Sequence, residues 1–450
     1  MEWLLERFAT RPENPAFTHE GRKVSYREVL TKVDSFGSEI QTLGIKPGES
    51  VVILGDYSPE VVCLILALAR NRNIIIPLSR GSVIEFETAL SICGCDWFAE
   101  FDAEDIQVRM VERRIQTDNE LIGSFLKTGA PGLVLFSSGS TGKPKGILHD
   151  FNRVADKFLK PRQATTAIPF LMLDHFGGIN TILAITSSLG QVVTVRNRSV
   201  ASICEAIQDF NVELLPTTPS FLTMLMASHS YREYDLSSLK RITYGTEVMP
   251  QSTLDRVRQA FPSVELQQTY GLSEVGVLRS QSRPDGSLWV RIGGEGFQTK
   301  VVDGILWIKS DFAMVGYLNA PSEFDAEGWF NTQDRVEVDG DYFRILGRVT
   351  DLINVGGQKV YPTEIEDVIL SLDNILDVAV YGEPHALLGH TVVAKVSLAK
   401  PEDAAGLKVR IRKACLASLA AFKAPSKVII SQEPLYSSRQ KKIRQKQPTC

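Results

Sequence analysis

Apolar residues recur close to every 3.6 positions between 25 and 43, at Tyr26, Val29, Leu30, Val33, Phe36 and Ile40. This spacing predicts a helix with one buried face. Val51 to Leu54 is a short unbroken apolar run and predicts a buried strand. A helix rich in aliphatic residues follows from Val61, then a second strand over 73–77. Strand, helix and strand in that order predict βαβ units around a parallel sheet. The pattern changes over 288–346. Short strand-like runs at 289–292, 299–302, 305–309, 336–338 and 342–346 alternate with Gly and Asp-Gly turns, as in a small β-rich unit. From 347 onward a last unit is expected, with helices over 363–372 and 407–419 and strands over 378–381, 392–398 and 427–430.

The expected fold class is therefore α/β. A large N-terminal domain over 1–346, with its β-rich unit at 288–346, precedes a small α+β domain over 347–450. A chain of 450 residues has room for such a division. The formal net charge of −4 argues against a protein built to coat nucleic acid. The longest apolar run, 61–69, ends at Arg70 and is too short to span a bilayer. The first residues include acids and read as a short helix, not a signal peptide. Six cysteines are thinly spread, and Cys93-Gly94-Cys95 has no second pair for a zinc site. Reduced, buried thiols and a cytoplasmic location are expected.

Candidate chemistry concentrates in one stretch. An apolar strand from Leu133 to Phe136 runs into Ser137, Ser138, Gly139, Ser140, Thr141, Gly142, Lys143, Pro144, Lys145 and Gly146. Glycines allow close backbone approach to a ligand, and successive N–H groups can form an anion nest. Hydroxyls add donors and lysines add charge, so the loop suits a polyphosphate. It is not a Walker A loop, because Pro144 stands where that motif needs Ser or Thr. Pro144 and Gly146 also argue against an immediate helix.

This loop resembles the signature of the acyl-adenylate-forming superfamily, which includes acyl- and aryl-CoA synthetases, adenylation domains of nonribosomal peptide synthetases and firefly luciferase. Further motifs follow in the same order along the chain. Tyr244-Gly245-Thr246-Glu247 is similar to the adenine-side loop. Gln268-Thr269-Tyr270-Gly271-Leu272-Ser273-Glu274 is similar to the aromatic-Gly-x-Thr-Glu motif. The resemblance implies that Tyr270 lies against adenine and that Glu274 holds Mg²⁺, while Ser273 keeps the hydroxyl of the usual Thr. Thr332-Gln333-Asp334 resembles a Thr-Gly-Asp motif whose acid binds ribose; Gln333 stands where Gly is usual. Arg348 would also reach the ribose, and Thr350 sits at the implied hinge. Gly356 to Glu366 is nearer in form to CoA ligases than to amino-acid adenylation domains.

The implied catalytic lysine falls in Pro434 to Arg444, where Lys442 is the first match and Lys441 the second. The catalytic candidates are thus Lys442, Glu274, Thr141 and His175. The implied acyl pocket draws on Phe170, Asp174, His175, Gly178, Thr218 and Gly245. A core role for His175 stays open, and the other five histidines show no ligand spacing. The resemblance implies ATP, Mg²⁺ and a small carboxylic acid, with CoA or a carrier-protein phosphopantetheine as acyl acceptor. The charge balance and the short apolar runs lead to the expectation of no nucleic acid and no membrane span. A stand-alone enzyme loading an acyl carrier protein is the alternative to an acid–CoA ligase. A nucleotide-binding pseudoenzyme is a third reading, because the surroundings of Gln333, Thr350 and Lys442 depart from the family pattern.

Overall fold

The first long helix shows how the sequence sets local structure. Ser25 accepts a hydrogen bond from Glu28 N–H, and the Glu28 carboxylate accepts from Ser25 N–H. This reciprocal cap starts Tyr26–Leu43, and Gly44, at φ +74°, ends it. Such a cap contributes about 1 kcal/mol. Tyr26, Val29, Val33, Phe36 and Ile40 are buried, which is the stripe the spacing predicts. The apolar run 61–69 lies in the helix Pro59–Arg70, capped by Ser58 and buried along nearly its whole length. Among the described residues no helix is long and apolar enough to cross a membrane.

The structure, a computed structural model, describes residues 1–82, 84–137, 143–433, 435–436 and 442. Two seven-stranded sheets form its larger part, where the periodicity alone suggested one. In the first, Gly132–Ser137, Ile74–Leu78, Ser50–Leu54 and Cys95–Phe101 run parallel. Lys145–Asp150 returns antiparallel beside Gly132–Ser137, with Ser137 opposite Lys145. Among the described residues a strand follows the loop directly, with no helix between, as Pro144 and Gly146 argue. The second sheet joins Glu265–Gln268, Arg241–Tyr244, Leu214–Thr217, Thr166–Ala167, Gln191–Val193 and Pro15–His19 in parallel. An apolar core including Phe8, Tyr26, Leu64, Phe151 and Leu183 packs the helices between these sheets.

Six antiparallel strands between Arg279 and Arg348 make the β-rich unit. A five-stranded sheet, with its own core of Ile353, Ile365, Val380, Val396, Leu407 and Ile411, follows it. The helices there run Pro362–Leu370 and Ala404–Ser418. This last unit docks through Ser252, whose N–H and hydroxyl donate to Asp367, and Arg256, which donates to Leu370 O. Cys63, Cys93, Cys95, Cys204 and Cys415 are unpaired and buried. Cys450 lies outside the described residues.

Candidate active site

Parallel strands leave unpaired backbone groups and loops at their carboxyl ends, where open α/β sheets hold ligands. Here those ends open into a cavity of about 1520 Å³. Ser137, Thr217, Gly245 and Tyr270 line it from the ends of four such strands, and the β-rich and C-terminal units close its other sides. Ser138, Gly139, Ser140, Thr141 and Gly142 lie outside the described residues.

Lys145 sits at the base of the loop. Its ammonium pairs with Glu323 and lies 4.6 Å above the Tyr317 ring. The Tyr317 hydroxyl donates to Glu274 Oε1 at 2.9 Å. Burial, and then the charge of Glu274, push the Tyr317 phenol well above its ordinary range, so it remains a neutral donor. Asn319 fixes this segment, accepting from Gly146 N–H and donating to Pro144 O, both at 2.9 Å. Lysine, phenol and two carboxylates thus stand together beside the loop.

Tyr270 is buried, and its hydroxyl donates to Asp334 Oδ2 at 2.5 Å. Such short distances are typical of a phenol on a carboxylate. Arg348 Nε stands 3.4 Å from Asp334 Oδ1. Burial raises the Asp334 carboxyl above its usual range, against the opposing pull of Arg348 and Tyr270. Gln333, in the place of the usual Gly, adopts φ +58° within the strand Phe330–Asp339, at an irregularity in its pairing with Ile305–Ser310. A non-glycine residue there carries strain. Gln333→Gly is therefore expected to raise unfolding stability by about 0.5–1 kcal/mol, read as a higher denaturation midpoint at unchanged slope. A lower midpoint would show that the side chain makes compensating contacts.

The segment Tyr244-Gly245-Thr246-Glu247 is also constrained. A Cβ on Gly245 would come within 2.4 Å of Thr269 Oγ1, so only glycine fits. Thr246 follows at φ +69°, unusual for a β-branched residue. Glu247 accepts from Ser220 N–H and Oγ at 3.1 and 2.7 Å and from Lys442 N–H at 2.7 Å. It joins the second sheet's layer to the C-terminal tail. Gly271, Ser273 and Thr350 also line the cavity.

His175 lines the cavity as the cap of Phe176–Thr186, with Nδ1 accepting from Gly177 N–H at 3.0 Å. Its neutral ring then carries the proton on Nε2. Four residues expected at the acyl pocket are not on its wall, although their chain neighbours are. Phe170 is buried against Phe221. Asp174 is buried and accepts from Ser79 N–H and Oγ at 3.3 and 2.9 Å. Gly178 packs on Met172 and Tyr57, and Thr218 caps the helix Pro219–Ser228. In extended segments and helix starts, adjacent side chains face different ways, so the wall falls to Leu171, Thr217 and Gly177 instead.

Lys442 lines the cavity from the C-terminal side. Its ammonium lies 3.3 Å from Asp377 Oδ1 and 3.8 Å from Glu366 Oε2, with all three side chains buried. Lys441 lies outside the described residues. Tyr317, Glu323, Lys157 and Asn180 are cavity residues that the sequence reading missed. Only the return of distant segments brings them in, and no local motif marks them.

For Mg²⁺, Glu274 is a hard oxygen donor beside the loop, oriented by Tyr317. Among the described residues no group of three metal-binding side chains exists. One carboxylate suits a cation that arrives on a nucleotide and completes its shell with phosphate and water oxygens. The donor chemistry therefore fits.

Residues 4–89 and 101–318 match the family described as AMP-binding enzyme, and residues 364–442 match the AMP-binding enzyme C-terminal domain. The chain is 27% identical to an indoleacetate–CoA ligase of Aromatoleum aromaticum, covering 88% of this chain and 87% of that one. It is 25% identical to a 2-succinylbenzoate–CoA ligase of Bacillus cereus, over 98% of this chain and 96% of the relative. The fold is similar to that of an anthranilate CoA ligase solved with anthranoyl-AMP, at a TM-score of 0.82 and 19% identity, covering 98% and 95% of the two chains.

Proposed function

This chain belongs to the family of AMP-binding enzymes, and from that premise we propose that it joins a small carboxylic acid to CoA through an acyl-adenylate. The observation that carries the reading is the meeting, in one cavity, of Ser137 and Lys145 with Glu274, Tyr270, Asp334 and Arg348. Each group has a matching task. Lys145 and the loop would hold the phosphates, Tyr270 would face the purine, and Asp334 with Arg348 would bind the ribose hydroxyls.

In the first step a carboxylate oxygen of the acid attacks the α-phosphorus of ATP. The bond from that phosphorus to the bridging oxygen breaks, and pyrophosphate leaves with the electron pair. The protein must hold the reactants in line and neutralise oxyanion charge. Glu274 would hold Mg²⁺, which when bound supplies positive charge at the phosphate oxygens. Lys442 would add charge at the transition state. In the second step a thiol sulfur attacks the acyl carbonyl, the bond to AMP breaks, and the thiol proton is released. His175 stands on the wall where it could orient the acid or accept that proton.

One lysine cannot occupy the site in both steps, so the unit from 347 onward would turn about Thr350 between them. Its attachment supports such a pivot. An exposed 3₁₀ turn, Val349–Asp351, joins the β-rich sheet to the last unit.

ATP–pyrophosphate exchange across aromatic, fatty and amino acids tests the reading. At least one acid is expected to drive exchange, and CoA is then expected to outcompete a phosphopantetheinylated carrier protein as acceptor. Silence with every acid would leave a nucleotide-binding pseudoenzyme. Carrier preference would leave a loading enzyme.

A further inference from the structure

The nucleotide groups account for only part of the cavity wall. Much of the rest is apolar, along Phe158, Leu171, Ile185, Leu214 and Val277, and this wall also carries Lys157, Arg162, Arg241 and Arg279. The three arginines are solvent-exposed as well as cavity-lining, so they form a rim, while Lys157 stands further in. Lys157 donates to Asn180 Oδ1 at 2.7 Å and to Val277 O, neither of which carries charge.

The cations here outnumber their acids. Arg241 pairs with Glu265 at 2.7 Å. Arg279 lies 3.9 Å from Glu295, which Lys160 already holds at 2.7 Å. Burial and then the neighbouring cations Arg279 and Arg241 lower the Arg162 guanidinium from its ordinary value. Burial, then Arg162 and Arg279, bring the Lys157 ammonium down to about 7. The backbone holds the rim in place, with Arg162 N–H donating to Ser188 Oγ at 3.1 Å. A merely solvated surface gains nothing from crowding cations around an apolar wall. An anion placed between them would relieve the repulsion and accept several charge-assisted hydrogen bonds.

We infer that this rim receives a second anionic group on the acid substrate, a carboxylate or sulfonate carried on an apolar spacer at the end remote from the reacting carboxylate. The inference rests on the ligase reading and names the class of acid.

The test compares an acid bearing a terminal carboxylate or sulfonate with its neutral isostere, such as the amide, in ATP–pyrophosphate exchange by the full-length enzyme. Wild type is expected to favour the dianionic acid by about tenfold or more in kcat/KM. Arg162→Ala and the Arg162→Ala/Arg279→Ala pair should shrink that ratio toward one, and Arg162→Lys should keep much of it. Arg162 is exposed, so these variants are expected to fold, and unchanged melting verifies it. Exchange driven only by uncharged acids, or a ratio unmoved by the variants, overturns the inference and spares the ligase reading. Absence of exchange with every acid overturns both. Because this half-reaction contains no CoA, a defect confined to thioester formation, with a raised KM for CoA, would assign the rim to the thiol substrate and overturn the inference too.

Discussion

Lys442→Ala is expected to slow acyl-adenylate formation by about 10²–10³-fold, the loss typical of removing one charge-stabilising group from a reaction centre. The same preparation should still convert supplied acyl-adenylate to thioester. The reason for separating the half-reactions lies in the surroundings of Lys442. Its ammonium rests against Asp377 and Glu366, both buried. Removing it leaves two carboxylates close together in a poorly solvated place, which lowers stability whatever the lysine does in catalysis. A structural role alone would weaken both half-reactions in step with the melting temperature. Asp377→Asn sharpens the comparison, since it loosens the lysine's resting place and leaves the lysine itself. Single-turnover measurement of both steps with both variants decides the matter. Thioester formation lost along with adenylation in Lys442→Ala would reject the catalytic role.

Acid is expected to destabilise the protein through His149. This residue lies on the strand Lys145–Asp150, fully buried, with its ring 5.0 Å from that of Phe176. Among the described residues neither ring nitrogen has a hydrogen-bond partner. Burial lowers its pKa to about 3, against an ordinary value of 6.5. The folded state therefore binds the proton less readily than the unfolded chain. The resulting stability is complete above pH 6.5 and is lost as pH falls through that value toward 3. Over the full window this amounts to roughly 3–5 kcal/mol. His149→Leu removes the titration and two unpaired polar atoms. Its unfolding free energy between pH 7 and 4 should fall less steeply than that of wild type, while stability at pH 7.5 holds or rises. Parallel curves for the two proteins would sink this account.

Much of the local architecture is legible in the chain. The helix 26–43 announces itself by its spacing and by Ser25 and Glu28, and the strands 50–54 and 74–78 by short aliphatic runs. The second sheet is not legible in this way. Pro15–His19 pairs with Gln191–Val193 across a gap of more than 170 residues, and periodicity carries no information about such partners. The candidate site divides similarly. Motif residues such as Glu274 and Tyr270 reach the cavity, because a motif is a local device. Phe170, Asp174, Gly178 and Thr218 face away from it, because facing depends on turns that the neighbouring residues settle. Lys157, Tyr317 and Glu323 arrive from segments with no signature at all. Gln333 shows the reverse case. The altered letter sits at a positive φ that favours glycine, and the strand Phe330–Asp339 continues through it.

The pairing of Glu323 with Lys145 has a consequence for ligand entry. On the proposed reading, the side of the cavity that would take the phosphates already contains a competing anion built into the chain, because Glu323 engages the Lys145 ammonium. A stray inorganic phosphate would have to evict that carboxylate with only a few contacts in return, whereas a whole nucleotide would bring base and sugar contacts to bear on the same exchange. Such an arrangement would filter incoming ligands by how much of the cavity they fill, and it would give departing pyrophosphate a successor waiting for its place.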